Sequence, residues 1–249
     1  MAGERFAVVS CHVEAPLDDR VWARFSKLQS RRPGGFSIAA LMRPPDPAAG
    51  ESEELWLERA REAAANGTLG HHTHFVGPGH ARPPGEDPPH AARVRREAEW
   101  LRAHDLDPRF FCGGGWYIDE RIAETLAELD YTDCTGTAFR PSYLAPGAPR
   151  LAAGRPLWLL LPSGHRLLEL PATHSLGMAL KAGLDPQPMP EIVHVYFHDT
   201  DLLDRKRRLA LELALRVLGR RRQPIGLEQL AQEAARAAPE RPFRSVSER

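Results

Sequence analysis

Short apolar runs alternate with stretches of helical spacing along nearly the whole chain. RFAVVSCHV, from Arg5, reads as a first strand. In DDRVWARFSKLQS the apolar residues Val21, Trp22, Phe25 and Leu28 recur at helical intervals, and Asp18 or Asp19 can cap the helix they predict. FSIAALM is a second strand, ended by the turn-rich RPPDPAAGES. EELWLERAREAAANG is a helix that Gly67 stops. TLGHHTHF is the third strand candidate, and VGPGHARPPGEDPPH is loop by composition. A helix follows from roughly Ala91 to His104, then RFFCGGG as a fourth strand with its exit turn. IDERIAETLAELD is a strongly periodic helix and YTDCTGTAF a fifth strand. LWLLLP and RLLELP, separated by SGH, predict a hairpin. EIVHVYFHD is β-rich and leads into the long helix LDRKRRLALELALRVLG. A short QPI and the helix GLEQLAQEAARAA follow, and PERPFRSVSER reads as a frayed tail.

Strands alternating with helices predict an α/β fold with a mainly parallel sheet covered by helices, either a barrel or an open doubly wound sheet. A chain of 249 residues is long enough for one large domain of this kind or two small ones. The 33 basic and 33 acidic residues cancel, which argues against bulk electrostatic binding to nucleic acid. GRRRQ is read as a solvated helix end. No segment approaches the length of a membrane span, and MAGERFAVVSCHVE lacks the apolar region of a signal peptide, so a cytoplasmic location is expected. Cys11, Cys112 and Cys134 are odd in number and widely spaced. They suggest neither a disulfide framework nor a zinc ribbon, and are expected to be buried small residues. No G-x-G-x-x-G opens a helix after a strand, and no P-loop is present, so nucleotide cofactors lack their usual signal. Nothing in the pattern fixes the oligomeric state.

In parallel α/β folds, functional residues gather at the carboxyl ends of strands. Three such ends carry His together with polar or acidic neighbours: CHVE, GHHTH and HDTD. On a strand, His72 and His74 face one side and His71 the other. A His-x-His pair can hold a divalent metal, and a carboxylate from another strand strengthens the case for zinc. Glu14 supplies such a carboxylate, with His12 on the same face as a candidate base. In VHVYFHD, His198 ends the strand beside Asp199, an arrangement suited to acid–base work with the acid orienting the ring. Asp199 or Asp201 is alternatively a helix cap, and His194 is read as structural.

The order of these motifs resembles the polysaccharide deacetylase family, the NodB-homology deacetylases, from about Arg5 to the GLEQLAQE helix. The resemblance implies a distorted (β/α) barrel of mainly parallel strands as a single domain over residues 1–240, with a flexible tail at 241–249. It also implies a divalent metal ion, zinc above all. His198 and Asp199 match the family's late His-Asp, whose His is a general acid. Gly70, His72 and Thr73 match the start of its G-x-H-[ST]-x-x-H motif, and Glu14 the second acid of its D-x-[DE] variant. The sequence departs from the pattern in three places. Val76 stands where the second His ligand belongs, with His74 or His80 available to replace it and His74 favoured by same-face geometry. His12 takes the place of the base aspartate. The family's arginine falls near Cys112, and FRPSY, from Phe139 to Tyr143, lies one strand too late to replace it. Losing base aspartate and arginine together avoids leaving one buried charge unpaired.

The expected protein is a metal-dependent hydrolase acting on an N- or O-acylated sugar or related amide. Glu14, His72 and His74 would hold the metal, His12 would act as base, and His198, oriented by Asp199, as acid. Amides of Gly113 and Gly114 would bind the oxyanion. Trp116 and Tyr117 offer an aromatic wall for a sugar, or alternatively core packing, and His174 is a further candidate for the rim. The expected partner is a glycan or small-molecule substrate, with no nucleic acid and no membrane span. The rival is a non-catalytic relative that binds a carbohydrate or protein. A third reading, carried by SCHVEAPLDDRVW alone, is a resemblance to the opening of some glycosyltransferases.

Overall fold

The computed structural model describes residues 5–75, 90–142, 144, 150–185 and 189–244. The fold is α/β with mainly parallel strands. The chain forms two compact units interleaved in sequence: Met1–Leu69 with Thr173–Leu230, and Gly70–Ala172 with Ala231–Arg249.

In the first unit, β1 (Phe6–Val13) pairs in parallel with β2 (Ile38–Met42). All of β2 and all but one residue of β1 are buried, which explains their unbroken apolar runs, since a parallel strand is covered on both faces. α1 (Asp19–Arg31) connects them. Asp18 caps it by accepting the amides of Arg20 and Val21, and Val21, Trp22, Phe25 and Leu28 form its buried stripe, as their spacing predicts. α2 (Glu53–Asn66) ends at Gly67, whose backbone is extended rather than left-handed. Its glycine answers a different need, because a Cβ there would lie 2.6 Å from the carbonyl oxygen of Ile38.

The second unit begins within β3 (Leu69–Thr73), which pairs in parallel with β4 (Phe110–Gly113). Between them, α3 (His90–Ala103) packs against α4 (Glu120–Glu128), which Asp119 caps through the Ile122 amide at 2.8 Å. β5 is only Thr132–Asp133. YTDCTGTAF therefore gives a much shorter strand than its composition predicts, and Thr137 adds isolated bridges to Ala152 and Ala172. β6 (Leu157–Leu160) and β7 (Arg166–Glu169) form the expected antiparallel hairpin, and β7 also pairs in parallel with β5. The core here gathers Val94, Phe111, Ile122, Leu126, Leu159 and Leu167.

Back in the first unit, β8 (His174–Ser175) and α5 (Leu176–Leu184) were not signalled by the apolar pattern. β9 (Ile192–His198) pairs in parallel with β1 and with β8, and α6 (Arg205–Arg221) follows. The residue that caps α6 is Asp204, which accepts the Lys206 and Arg207 amides, rather than Asp199 or Asp201. β10 (Gln223–Pro224) adds to β1. α7 (Leu227–Ala237) follows, and residues 241–244 of the expected tail are described. Glu240–Pro242 form β11, parallel to β6, and the Phe243 amide donates to the Leu160 carbonyl at 2.9 Å while its ring packs on the core. The three cysteines are buried, as expected.

Candidate functional site

The sequence-predicted residues fall into two groups, one in each unit. The first stands at the carboxyl ends of β1 and β9. Their parallel register sets His12 directly beside His198. The two rings meet edge to face at 5.3 Å between centroids, and Tyr196 closes a triangle at 5.2 Å from His12 and 5.7 Å from His198. His12 is buried, whereas the His198 side chain keeps 30% of its exposure and can reach a substrate. Its Nε2 lies 3.4 Å from Oε1 of Glu14, and its Nδ1 4.0 Å from Oδ2 of Asp201.

Asp199 does not orient His198 as the sequence suggests. Its buried carboxylate turns back to the β1 exit, where Oδ2 accepts the Ala15 amide at 2.9 Å and Oδ1 the Thr200 amide at 2.8 Å. Burial pushes its pKa up to about 6. Hydrogen bonds from the amides of Ala15, Glu14 and Thr200 oppose that rise, and the charge of Glu14 adds to it. Asp199 therefore fixes the backbone that carries Glu14, while Glu14 and Asp201 are the acids beside the His198 ring. His194 is structural, with Nε2 2.9 Å from the Ser10 hydroxyl. His174 is buried, its Nδ1 2.8 Å from the Thr173 hydroxyl, and is not a rim residue.

The second group is the histidine pair of β3. The ring of His72 is buried, and its Nδ1 lies 2.8 Å from the Cys112 carbonyl oxygen. A carbonyl only accepts, so Nδ1 carries the proton and Nε2 of the neutral ring holds a lone pair. That Nε2 lies 3.0 Å from Nε2 of His74, with the rings at 89°. Two nitrogens sharing a tetrahedral zinc, each about 2.0–2.1 Å from it, would stand about 3.3 Å apart. The pair is therefore close to the spacing a metal needs, and a carbonyl-bound Nδ1–H is the usual support of a ligating imidazole. His71 points to the other side, as alternation predicts.

Two residues that the sequence did not single out hold this strand end. Glu97 accepts from Nε2 of His71 at 2.9 Å and from the Thr73 hydroxyl at 2.6 Å. It also accepts from Nε of Arg93 at 2.7 Å, and Arg93 Nη1 donates to the His74 carbonyl at 2.6 Å. Burial alone would raise the Glu97 pKa, but hydrogen bonding and charge from His71, with Arg93 and Thr73, pull it down to about 2. Only the i,i+4 spacing of Arg93 and Glu97 on a helix was visible in the sequence.

The proposed substrate-binding stretch is corrected in part. The Gly113 amide already donates to the Thr135 hydroxyl at 2.8 Å, so it is not free for an oxyanion. Gly113 and Gly114 are required by packing. A Cβ would lie 2.1 Å from the Tyr117 carbonyl oxygen at Gly113, and 2.7 Å from Cγ of His74 at Gly114. Trp116 is only 2% exposed and offers no wall to a sugar. Tyr117 is half-buried against Phe75 and His90, and its hydroxyl donates to Asp119 at 3.1 Å. Val76, His80 and Tyr143 lie outside the described residues.

No family model matches the chain, and no curated protein sequence matches it significantly. Among solved structures, the chain is similar to 4-alpha-glucanotransferase from Thermococcus litoralis, with a TM-score of 0.59 and 11% identity. That match covers 98% of this chain but 43% of the other, so the chain spans under half of that enzyme's length. A protein described as a polysaccharide deacetylase involved in O-antigen biosynthesis, from Bordetella bronchiseptica, matches with a TM-score of 0.45 and 13% identity over 92% of this chain and 98% of that one. A family 4 carbohydrate esterase from Streptomyces lividans, in complex with acetate, gives 0.46 and 8% over the whole of both chains. At these identities the likeness concerns the fold, and of the three the first carries it. Among the described residues, no helix is long and apolar enough to cross a membrane.

Proposed function

We propose that this chain is a divalent-metal-dependent hydrolase that removes an acyl group from an N- or O-acylated sugar or related amide. The observation that carries the reading is the His72–His74 pair, with one ring fixed by a backbone carbonyl so that its Nε2 is the acceptor nitrogen. Glu14, matched to a ligand position of the deacetylase pattern, completes the proposed ligand set. The metal, zinc on the chemistry of two imidazoles and one carboxylate, would polarise the acyl carbonyl. His12 takes a proton from the attacking water, and His198 gives one to the departing nitrogen or oxygen as the acyl bond breaks. The contact between these two rings suits a paired base and acid. Asp199 serves the reaction by holding the backbone of Glu14 and Ala15.

A second reading, a non-catalytic relative that binds carbohydrate or protein, is favoured by the engaged Gly113 amide and the buried Trp116. Acetate release from N-acetylated and O-acetylated sugars separates the two. The hydrolase reading expects zinc-loaded protein to release acetate, chelation to abolish it, and His198→Ala to lower kcat about a hundredfold or more. Zinc-loaded protein that releases none from a broad panel supports the binding relative.

A further inference from the structure

Behind His72 runs a buried chain of hydrogen bonds with no part in the chemistry above. The peptide group whose carbonyl accepts from His72 is the one between Cys112 and Gly113. Its other end, the Gly113 N–H, donates to Oγ1 of Thr135 at 2.8 Å. That hydroxyl donates in turn to Oδ1 of Asp133 at 2.6 Å, which also accepts the Thr135 amide at 3.1 Å. Asp133 stands opposite Glu169 across the β5–β7 pairing, and both are fully buried.

The register thus places two fully buried carboxyl groups at paired strand positions. Oε1 of Glu169 accepts the Gly136 amide at 2.9 Å, while Oδ2 of Asp133 and Oε2 of Glu169 are buried with no hydrogen-bond partner among the described residues. Ionised carboxylates only accept, so two buried carboxyls with partnerless oxygens at paired positions are satisfied only when one of them carries a proton it can donate. Two charges buried at paired positions would also repel: burial raises the pKa of both acids, and the charge of Asp133 adds to the rise at Glu169. Arg241 opposes this at Glu169, and the neighbouring Cys134 thiol is pushed up by burial and is neutral. Glycine at 136 makes room for the arrangement, because a Cβ there would lie 2.7 Å from Oε1 of Glu169.

We propose that Asp133 and Glu169 share one proton, and that Asp133, through Thr135 and the Cys112–Gly113 peptide, positions His72 in its Nδ1–H form. The negative end of the chain polarises the hydroxyl, and the hydroxyl polarises the peptide, so the Cys112 carbonyl becomes a better acceptor for Nδ1–H. Asp133, Glu169 and Thr135 are positioning residues, none of which touches substrate. The consequence for metal affinity rests on the reading of His72 as a ligand, whereas the tautomer of its ring is a property of the chain alone.

Asp133→Asn and Glu169→Gln both preserve shape and hydrogen bonds but leave the single charge at opposite ends of the pair. Asp133→Asn moves it to Glu169, away from Thr135, and Glu169→Gln keeps it on Asp133. Two quantities are read: zinc affinity at pH 7 by competition with a chromophoric chelator, and the ¹⁵N shifts of the His72 ring in metal-free protein. Asp133→Asn and Thr135→Val should each weaken zinc binding about tenfold or more and move the ring from the Nδ1–H form towards a tautomer mixture. Glu169→Gln should do markedly less, and Thr135→Ser should restore the wild-type signals. A packing role alone would treat Asp133→Asn and Glu169→Gln alike. Wild-type ring shifts in both Asp133→Asn and Thr135→Val would overturn the inference. If Asp133→Asn does not fold, the Thr135 pair carries the test. If wild-type protein takes up no zinc, the metal reading fails and the ring shifts still decide this one.

Discussion

Gly114 is the residue on which the setting of the histidine pair most directly depends, because His74 lies where its Cβ would be. Gly114→Ala should push the His74 ring off its partner and lower zinc affinity about tenfold, with a fall in thermal midpoint because the Cβ would also meet the His74 backbone at 2.9 Å. Unchanged affinity in that variant would show that the ring is not held there. The same-face placement of His72 and His74 was legible from the two-residue period of a strand, and the His12–His198 neighbourhood from two apolar strands ending in histidine. The partners of these side chains were not legible. Glu97 meets His71 across 26 positions, and Asp133 and Glu169 meet only once β5 and β7 are paired, so no local period marks them. Asp199 was misjudged because adjacency in sequence suggested a contact with His198, when successive residues leave a strand end in different directions. Trp116 showed no difference in sequence between a wall and a core position.

Elements with a clear stripe or an unbroken apolar run were legible: α1, α4, β1, β2, β9 and the β6–β7 hairpin. α5 was missed for a physical reason. It carries two glycines and buries only Ala179 fully, so it has no apolar stripe to detect. β11 is made by its pairing with β6, since Glu-Arg-Pro has little strand preference of its own. The clamp between α3 and β3 gives an element-scale prediction. The Glu97 pKa is depressed to about 2 in the folded chain, so its contribution is present above the ordinary carboxylate value and is lost as pH falls towards 2. Acidification from about pH 4.5 to pH 2 should therefore remove stability on the order of 2 kcal/mol that Glu97→Gln lacks throughout. Urea unfolding across that range checks it, and parallel curves for the two proteins would count against the clamp.

For the whole molecule, the alternation of strand and helix was enough to place the chain in the α/β class, and the functional candidates do stand at the carboxyl ends of β1, β3 and β9. The central proposal is that His72 and His74 hold one metal ion, with Glu14 as the third ligand that the deacetylase resemblance implies. Zinc content after loading and exhaustive desalting, measured by elemental analysis on wild-type, His72→Ala and Glu14→Ala proteins, tests it most directly. The account expects one zinc per wild-type chain, none retained by His72→Ala, and affinity reduced about a hundredfold in Glu14→Ala. A wild-type chain that retains no zinc, or a Glu14→Ala chain that binds it as tightly as wild type, would contradict it.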